Sequence, residues 1–393
     1  MNQKLTADEL VALVRNVFRP SATDTRIAIF CDLPDSNVPD NDAWLARRTM
    51  AALWAGFLHG KAGELGLATD LVVYRNVRMS NADLPAGAYI ADPESLPSDA
   101  AAAEACCRAV SMDEVLKSHS IIIAPTEMSA TAPLKLSARA CRFRAATMPG
   151  FTQEMIPMLR LDYTEINSRV ALLKRLVDRA VSAEISFEVD ECDDYMLVLD
   201  LRNRTAHVSG GMFPDIGEAG NLPSGECYIV PYEGEIAGDP SRSAGELPVQ
   251  FGDEVVVFTI DGNRAVDVDG EGPEAARQRK LIASEPAYAN ISELGFGVLY
   301  DLGIKPLGNI LCDEKLGLHI AFGRSDHFGG MVGAKDFSCP EAVIHLDHVY
   351  IRETQPRVNV RMLLLKMPDH TVVPVIQDNR YVIEFRKGKK GAA

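Results

Sequence analysis

The residues best suited to bind a metal lie in the last third of the chain, where half of its eight histidines fall between residues 319 and 348. The clearest pattern is the segment Ile344–Asp347, which reads Ile-His-Leu-Asp. On a β-strand, residues two apart point to the same face, so His345 and Asp347 would project side by side while their apolar neighbours face a core. Such a pair can hold a divalent cation. It can also form a simple hydrogen bond on a sheet surface, and so short a motif by itself favours that second interpretation.

Three further side chains in apolar surroundings change this balance. His319 lies in the segment LHIAFG, Glu293 in ISELGFG and Glu226 in NLPSGECYIVP. Each alone is more simply a hydrogen-bonded or ion-paired residue, because an unpaired buried charge is costly. One binuclear metal site would instead satisfy these three side chains and the His-Asp pair together, since the positive charge of the cations replaces lost hydration. The five residues therefore predict a site for two divalent metal ions.

The donor atoms of this set also restrict the metal. Carboxylates outnumber imidazoles and no thiolate is required, which suits zinc, cobalt or manganese and suits iron less well. Two such ions about 3.5–4 Å apart are the arrangement of aminopeptidases and other hydrolases, where the metals activate water and polarise the scissile carbonyl. A structural zinc site would more typically be rich in cysteine. The chemistry expected is therefore hydrolysis of a peptide or small amide substrate.

Six short segments, in this order, resemble the aminopeptidase T/aminopeptidase S family of metallo-aminopeptidases, whose relatives include leucyl aminopeptidase-like and thermophilic metalloprotease enzymes. They are DLR at residue 200, GNLPSGECYIVP at 220, ISELGFG at 291, GNILCDEKLGLHIAFG at 308, FGG at 328 and IHLD at 344. The resemblance implies two metal ions bound by Glu226, Glu293, His319, His345 and Asp347. It further implies that Glu293 and Glu226 take part in catalysis, that N-terminal residues are removed from peptides, and that the protein is a homodimer.

The sequence departs from the family pattern in two stretches. Val298–Tyr300 stands where the family usually has an asparagine, and Arg324–His327 stands where members often carry a tyrosine or an Asp-Asn pair. We expect these changes to affect the choice of substrate more than metal binding. The trio Asp313–Lys315 is kept, and we interpret Lys315 as a partner that balances the charge of the ligands. Arg202 can form a structural ion pair or contact the substrate, and we favour the ion pair.

Two other functions stay open at this point. Ring-cleaving dioxygenases that act on dihydroxypyridine resemble the sequence at IHLD and hold a single iron through two histidines and an aspartate. His319, His345 and Asp347 would still provide such a set. That branch carries a histidine where Glu293 stands, so the presence of both Glu226 and Glu293 favours the hydrolase. The third function is that of a non-catalytic peptide-binding protein on the same scaffold, against which the complete ligand set counts.

The elements that must position these residues differ between the two halves of the chain. The first half alternates apolar strands with helices, a rhythm typical of a doubly wound α/β layer. We expect strands at 26–31, 70–75, 119–125 and 144–148, and helices at 41–59, 100–117, 134–141 and, as one long element, 162–186. No glycine-rich phosphate-binding motif follows any of these strands.

The second half is richer in glycine, proline and strands. Glu254–Ile260, an Asp-Gly turn and Arg264–Val268 predict a β-hairpin, and further strands are expected near residues 318, 343 and 361. We therefore predict an α/β domain over residues 1–187 and a β-rich α+β metal-binding domain over residues 188–386. A disordered basic tail is expected over residues 387–393.

The composition of the chain excludes several classes of protein and partner. The 393 residues are 47% hydrophobic, which excludes a disordered chain. Their net charge of −15 gives no attraction for phosphate groups, so nucleic acid is a poor candidate for a partner. No apolar run approaches the ~20 residues that cross a bilayer, so no membrane partner is expected. The start of the chain predicts an amphipathic helix with Leu10, Leu13, Val14 and Phe18 on one face, not a signal peptide. The eight scattered cysteines predict reduced, mostly buried thiols in a cytoplasmic protein.

Overall fold

The computed structural model describes residues 4–385 and divides the chain into two compact units. The first unit comprises the residues up to Thr164 and the segment Gly211–Ser224, and the second comprises Glu165–Gly210 and the residues from Gly225 onward. The division therefore lies elsewhere than the predicted residue 187, which falls inside a strand of the second unit. The predicted tail over 387–393 lies outside the described residues.

The described residues form twenty strands, ten α-helices and six short 3-10 helices. The strands are β1 Arg26–Leu33, β2 Ala68–Arg75, β3 Gly87–Ala91, β4 Arg108–Ser111, β5 Ile121–Ala124, β6 Arg144–Thr147, β7 Ser182–Val189, β8 Asp193–Asp200, β9 His207–Ser209, β10 Ala219–Asn221, β11 Glu226–Ile229, β12 Ala244–Phe251, β13 Glu254–Asp261, β14 Arg264–Asp269, β15 Ile291–Gly297, β16 Leu318–Gly323, β17 His345–Tyr350, β18 Val358–Lys366, β19 Val372–Gln377 and β20 Arg380–Tyr381. The α-helices are α1 Ala7–Phe18, α2 Asp42–Gly60, α3 Ala62–Leu65, α4 Ala100–Cys106, α5 Met112–Ser118, α6 Thr131–Cys141, α7 Ile156–Leu159, α8 Tyr163–Val177, α9 Pro273–Ser284 and α10 Ile310–Asp313. Short 3-10 helices cover Gln153–Met155, Pro286–Ala289, Tyr300–Leu302, Asp326–Phe328, Ala334–Asp336 and Pro340–Ala342.

The first unit is built on a seven-stranded sheet in the order β10-β6-β5-β1-β2-β3-β4. The strands from β10 to β2 pair in parallel, and β3 and β4 are added antiparallel at one edge. Every position of β5 and β6 is buried, as expected for parallel strands covered by helices. The predicted α/β class of this unit is confirmed.

The first helix shows how the sequence specifies these elements. The Thr6 side chain accepts a hydrogen bond from the backbone N–H of Glu9, and the Glu9 carboxylate accepts one from the backbone of Thr6. Such a capping box satisfies two N–H groups that the helix itself cannot pair, a gain of about 1 kcal/mol. The predicted apolar face of α1 is buried, as Leu10, Leu13, Val14 and Phe18 show.

Two predicted helices are shorter than expected because strand pairing overrides local composition. The helix predicted over 162–186 ends at Val177, and the chain continues as β7, in which every second residue is buried. The period of two in Ala183, Ile185 and Phe187 is that of a strand. The helix predicted over 100–117 is interrupted by β4, which pairs with the edge strand β3.

The segment Gly211–Ser224 belongs to the first unit because it supplies an edge strand. In β10, Ala219 lies opposite Ala145 and Asn221 lies opposite Thr147 of β6. The Thr147 hydroxyl donates to the carbonyl of Gly220 at 3.0 Å. The chain therefore enters the second unit and returns to the first, and a single boundary in the sequence does not separate the two units.

An ion pair between side chains of β1 and β2 and His119 predicts how the stability of this unit depends on acid pH. Asp70 Oδ2 lies 2.8 Å from His119 Nε2 and also contacts Arg26. The hydrogen bond from His119 lowers the pKa of Asp70 to about 2, with help from Arg26 and against the opposing effect of burial. Because an unfolded aspartate has a pKa of about 4, the pair stabilises the fold above that pH and loses this effect as the pH falls towards 2.

We therefore expect Asp70→Asn to lower the free energy of unfolding by about 1–2 kcal/mol at pH 6, allowing for partial solvent screening. The difference from the unsubstituted protein should shrink as the pH falls from about 4 to about 2, because the unfolded aspartate is protonated over this range while the folded carboxylate, with its pKa of about 2, still carries its charge. Thermal unfolding followed by circular dichroism across this range measures it. Asp113→Asn, which removes an exposed carboxylate paired with Lys117, is the control and should change little. An equal difference at both ends of the range would contradict the prediction.

The second unit contains two antiparallel sheets and confirms the predicted β-rich class. Eight strands pair in the order β14-β13-β12-β8-β7-β18-β19-β20, and five pair in the order β17-β16-β15-β11-β9. The predicted hairpin is present as β13 and β14, in which Asp261 pairs with Arg264 and the two-residue turn is Gly262-Asn263, with φ values of 58° and 69°. Such positive φ values favour glycine and asparagine in the turn. The five-stranded sheet carries the candidate site.

The described residues contain no disulfide, in agreement with the expected reduced thiols. The expectation that most thiols are buried is wrong. Several of the cysteines lie at the ends of helices, where side chains reach solvent. Buried thiols are those of Cys31, Cys227 and Cys312, whereas Cys106, Cys192 and Cys339 are exposed and Cys107 and Cys141 are half-buried. Among the helices described, none combines the length and the apolar character needed to cross a membrane.

Candidate metal centre

The five predicted ligands meet on adjacent strands of the five-stranded sheet. Strands β11, β15, β16 and β17 carry, in that order, Glu226, Glu293, His319 and the pair His345 and Asp347. These four strands are direct neighbours, so residues far apart in the sequence occupy one patch of the sheet. Glu293 and Asp347 both lie opposite Ala321, from the two sides of β16. The structure thus brings all five side chains together.

Small residues leave room for these side chains on the same face of the sheet. Gly295 lies opposite His319, and Gly297 lies opposite Glu226. A Cβ atom added at Gly295 would lie 1.8 Å from His319 Nε2, so only glycine allows the imidazole to occupy its place. Sequence reasoning did not assign this role. The available signal was the spacing of two residues between Glu293 and Gly295, which puts both on one face of the strand.

The side chains form two overlapping groups joined by Glu293. Its Oε1 lies 3.2 Å from His319 Nε2, and its Oε2 lies 3.3 Å from His345 Nε2. Glu226 Oε2 lies 3.7 Å from His319 Nε2, and Asp347 Oδ1 lies 3.6 Å from His345 Nε2. Within each group, one donor atom per residue lies within 4.8 Å of the others. Glu293 therefore presents a different carboxylate oxygen to each group.

Backbone carbonyls orient both imidazoles. His319 Nδ1 lies 3.1 Å from the carbonyl oxygen of Gly317, and His345 Nδ1 lies 2.8 Å from that of Arg324. Ser292 Oγ also lies 3.2 Å from His345 Nδ1. Since a carbonyl oxygen only accepts, each Nδ1 carries a hydrogen, and each Nε2 faces the carboxylates. This is the arrangement by which proteins present an imidazole Nε2 to a metal.

Two buried oxygens of the site fit an additional positive charge. Among the described residues, Glu226 Oε2 and Asp347 Oδ1 have no hydrogen-bond partner. One belongs to each group, and an unpaired buried carboxylate oxygen is costly. A cation held in each group would satisfy both. The donors are nitrogen and oxygen atoms without thiolate, which suits zinc, cobalt or manganese and accommodates iron. The residues present therefore fit two divalent cations.

The charges of the site perturb the ionisation of its members. Burial opposes protonation of His319, but the hydrogen bond and charge of Glu293 raise the pKa of His319 to about 9. Asp347 and Glu293 likewise raise the pKa of His345 against the effect of burial. In return, burial would raise the pKa of Glu293, but both imidazoles hold that pKa well below its ordinary value. Concentrated negative charge thus attracts protons here in the absence of another cation.

A buried lysine balances part of this negative charge, as predicted for Lys315. Its Nζ donates to Glu226 Oε1 at 2.6 Å and also contacts the carboxylate of Glu314. These two carboxylates raise the pKa of Lys315 against the opposing effect of burial, and burial raises the pKa of Glu314 to about 8. Asp313 accepts the backbone N–H groups of residues 307 and 308, which holds the preceding turn in place. Lys315 leaves the second oxygen of Glu226 directed towards His319.

The stretch Val298–Tyr300 supports this lysine from the backbone. The N–H of Val298 donates to the carbonyl of Gly225, and the N–H of Leu299 donates to that of Lys315, both at 2.9 Å. Val298 and Leu299 are fully buried. The stretch therefore joins the beginning of β11 to the lysine, and its first two side chains are part of the core.

The stretch Arg324–His327 instead lies beside the ligands. Arg324 Nε donates to Asp326 at 2.6 Å, and both side chains are exposed. The His327 ring lies 5.4 Å from the ring of His345, centroid to centroid, at nearly a right angle. This departure from the family pattern thus contacts one metal-ligand candidate directly.

Arg202 forms the ion pair predicted for it. Its guanidinium donates to Asp200 at 2.6 Å and to Asp239 at 2.7 Å. The hydrogen bonds from Arg202 to these carboxylates raise the pKa of Arg202. Neither carboxylate belongs to the two ligand groups, so the role of Arg202 is to hold the chain after β8.

The comparisons with known proteins identify the fold. No protein-family model and no curated protein matches this chain. Several solved structures do, and they include the following two. The 2,5-dihydroxypyridine dioxygenase from Pseudomonas putida superposes with a TM-score of 0.58 at 15% identity, over 97% of this chain and 99% of that chain. Wild-type AmpT from Thermus thermophilus superposes with a TM-score of 0.54 at 14% identity, over 96% and 98% respectively.

At such low identity these two likenesses show the fold alone, over nearly the whole length of each protein. They support the predicted combination of an α/β layer with a β-rich domain. Apart from this likeness, the two ligand groups are the observation in the described residues that suits a metal cofactor.

Proposed function

We propose that the protein is a metal-dependent aminopeptidase or a related amide hydrolase that uses two divalent metal ions. The observation that carries this proposal is the position of Glu293 in both ligand groups, with one oxygen directed to each. A carboxylate shared in this way suits two neighbouring cations, whereas a site for one cation has no need of a second complete group. Each group also contains one buried carboxylate oxygen without a hydrogen-bond partner among the described residues, which supports one cation in each group.

The groups assign the ligands of each ion. Glu226, Glu293 and His319 would hold one cation, and Glu293, His345 and Asp347 would hold the other. When bound, two such ions lower the pKa of a water molecule and polarise the carbonyl of the bond to be cleaved. Zinc, cobalt and manganese match the donor set best.

The residues of the chain prepare the site for this chemistry. Glu293 and Glu226 are the catalytic carboxylates of the proposal: the first connects the two groups, and the second keeps one oxygen free of hydrogen bonds. Lys315 holds the other oxygen of Glu226 and offsets its charge. The backbone carbonyls on both Nδ1 atoms prevent the imidazoles from turning. All of these groups are positioned before a substrate arrives, which is the condition for electrostatic catalysis.

The two solved structures frame the alternatives. AmpT bears the name of the family that the sequence motifs resemble, and it supports the hydrolase. The dioxygenase shares the fold equally well, and an iron enzyme of that type would need one ion from His319, His345 and Asp347. We favour the hydrolase because a carboxylate, Glu293, joins the two halves of the site.

Metal counting and an amide panel test the proposal. We expect about two ions of zinc, cobalt or manganese per chain, and metal-dependent release of the fluorophore from aminoacyl 7-amido-4-methylcoumarins. Removal of the metal with 1,10-phenanthroline should abolish turnover, and added zinc or cobalt should restore it. About one iron per chain, with oxygen uptake on 2,5-dihydroxypyridine, would establish the dioxygenase instead. A fully loaded protein that cleaves no amide of the panel would favour a peptide-binding role.

The predicted homodimer, the peptide or small amide substrate and the cytoplasmic location belong to the same proposal. Light scattering of the purified protein measures the first, since a dimer has twice the chain mass of 42.8 kDa.

A further inference from the structure

Four aromatic rings lie next to the two ligand groups, and we call them the aromatic wall: His207, Tyr228, His327 and Phe328. The ring centroids of His207 and Tyr228 are 5.4 Å apart, and those of Tyr228 and Phe328 are 4.8 Å apart. Phe328 lies 3.9 Å from His327. The rings therefore form one continuous surface contributed by β9, β11 and the 3-10 helix at residues 326–328.

The wall adjoins the site directly. Tyr228 follows Glu226 by two positions on β11, so both side chains project from the same face of the sheet. The ring of Phe328 lies 5.5 Å from that of His345, at 79°. The wall thus touches the candidate ligand His345 through Phe328. It also includes Tyr228 of β11, the strand that begins with the candidate ligand Glu226. A substrate whose reacting bond lies at the ligand groups has part of its structure against these rings.

The wall is open to solvent rather than packed into a core. His207 and His327 are exposed, and Tyr228 and Phe328 are only half-buried. Contiguous aromatic rings that stay accessible beside a candidate metal centre are typical of a binding surface. The rings meet at 28°, 60° and 36° along the wall, and Phe328 meets the His345 ring edge to face at 79°. Stacked, tilted and edge-to-face arrangements are those in which aromatic rings attract one another, so the wall suits a further aromatic ring.

The segment that carries Phe328 is held rigidly by a buried carboxylate. Glu233 accepts hydrogen bonds from Ser325 Oγ at 2.6 Å and from Asn290 Nδ2 at 2.7 Å, and it also accepts the backbone N–H of Met331. His207 Nε2 lies 3.1 Å from the carbonyl oxygen of Phe328, which ties β9 to the 3-10 helix that carries Phe328. The rings are therefore fixed in advance, so binding does not require them to be ordered.

We propose that the aromatic wall is the subsite for the side chain of the substrate's N-terminal residue, and that it selects an aromatic side chain over a small one. This inference rests on the proposed hydrolase function and adds the substrate class to it. Tyr228 and Phe328 supply the contact area, and the exposed rings of His207 and His327 border it. The wall determines which peptide is bound, and the ligand groups determine what happens to it.

Two measurements separate this inference from the proposed function. In the first, kcat/KM of the zinc-loaded protein is compared for the phenylalanyl, leucyl and alanyl 7-amido-4-methylcoumarins. We expect the phenylalanyl compound to exceed the alanyl compound by at least about tenfold, and Phe328→Leu to reduce that ratio by about tenfold. Phe385→Leu is the matched control, because Phe385 is a half-buried phenylalanine that packs on Tyr381 elsewhere in the unit, and it should leave the ratio unchanged.

The second measurement is calorimetric binding of L-phenylalaninol and L-alaninol, which keep the amine and the side chain but contain no amide to cleave. We expect L-phenylalaninol to bind at least about tenfold more tightly, and Phe328→Leu to remove the difference. If no amide is hydrolysed but this binding preference is found, the hydrolase proposal fails and the subsite stands. Equal binding of the two amino alcohols, or no binding of either, overturns the subsite whatever the protein hydrolyses. A preference that Phe328→Leu leaves intact also overturns it, provided that thermal unfolding shows the variant to be folded.

Discussion

Replacement of Glu293 by alanine is expected to remove both metal ions from the protein, whereas Glu226→Ala and Asp347→Ala should each remove one. The reason is the geometry of the shared carboxylate, whose two oxygens lie 3.2 Å from His319 Nε2 and 3.3 Å from His345 Nε2. Each of the other two carboxylates approaches a single imidazole. Metal content should therefore fall from about two ions per chain to about none in the first variant and to about one in the others.

The rate of amide hydrolysis should fall together with the metal content of Glu293→Ala. Loss of both ions removes the activation of water and the polarisation of the carbonyl, so we expect kcat/KM to decrease by about 10³-fold or more. Elemental analysis after gel filtration measures the metal content, and circular dichroism checks that the variants are folded. Glu246→Ala, at an exposed position of β12 in the same unit, is the control and should retain both ions and full activity. Retention of two ions by Glu293→Ala would show that Glu293 does not link the two groups.

The second large effect is expected at Gly295, a residue that bears no functional group. A methyl group at this position would lie 1.8 Å from His319 Nε2 and 2.2 Å from His319 Cε1. His319 is fully buried and cannot retreat into solvent. Gly295→Ala should therefore displace the imidazole, remove the ion of the Glu226–His319 group and destabilise the fold by about 1–3 kcal/mol.

Three controls make this prediction specific. Gly87→Ala places a methyl group on strand β3 with no atom within 4 Å, and it should cost little. His319→Ala alone should lose the same ion without the steric conflict. The double variant Gly295→Ala/His319→Ala should be more stable than Gly295→Ala, because the conflicting ring is absent. Metal analysis and denaturant unfolding measure both effects. Two bound ions in Gly295→Ala would contradict the proposed position of the His319 imidazole.

Both predictions depend on features that differ in how far the sequence reveals them. The pairing of His345 with Asp347 follows from the two-residue period of a strand, which is a local property. The same reasoning identified the buried face of α1 and the Asp-Gly hairpin, since capping groups and turn residues act within a few positions. It failed for residues 178–186, where the helix ends at Val177 and the chain from Ser182 onward pairs with β8 and β18 instead.

Local pattern therefore determined the chemistry of this protein: which side chains are available, that two of them share a strand face, and that the donors are oxygen and nitrogen. Only the tertiary structure decided that four strands lie in the order β17-β16-β15-β11, so that Glu293 stands between two imidazoles and Gly295 leaves space for one of them. The physical reason is that strand order and register are set by hydrogen bonds and packing between distant segments, which no single segment encodes. For the same reason the return of β10 to the first sheet, and with it the true division of the chain, appears only when the strands are paired.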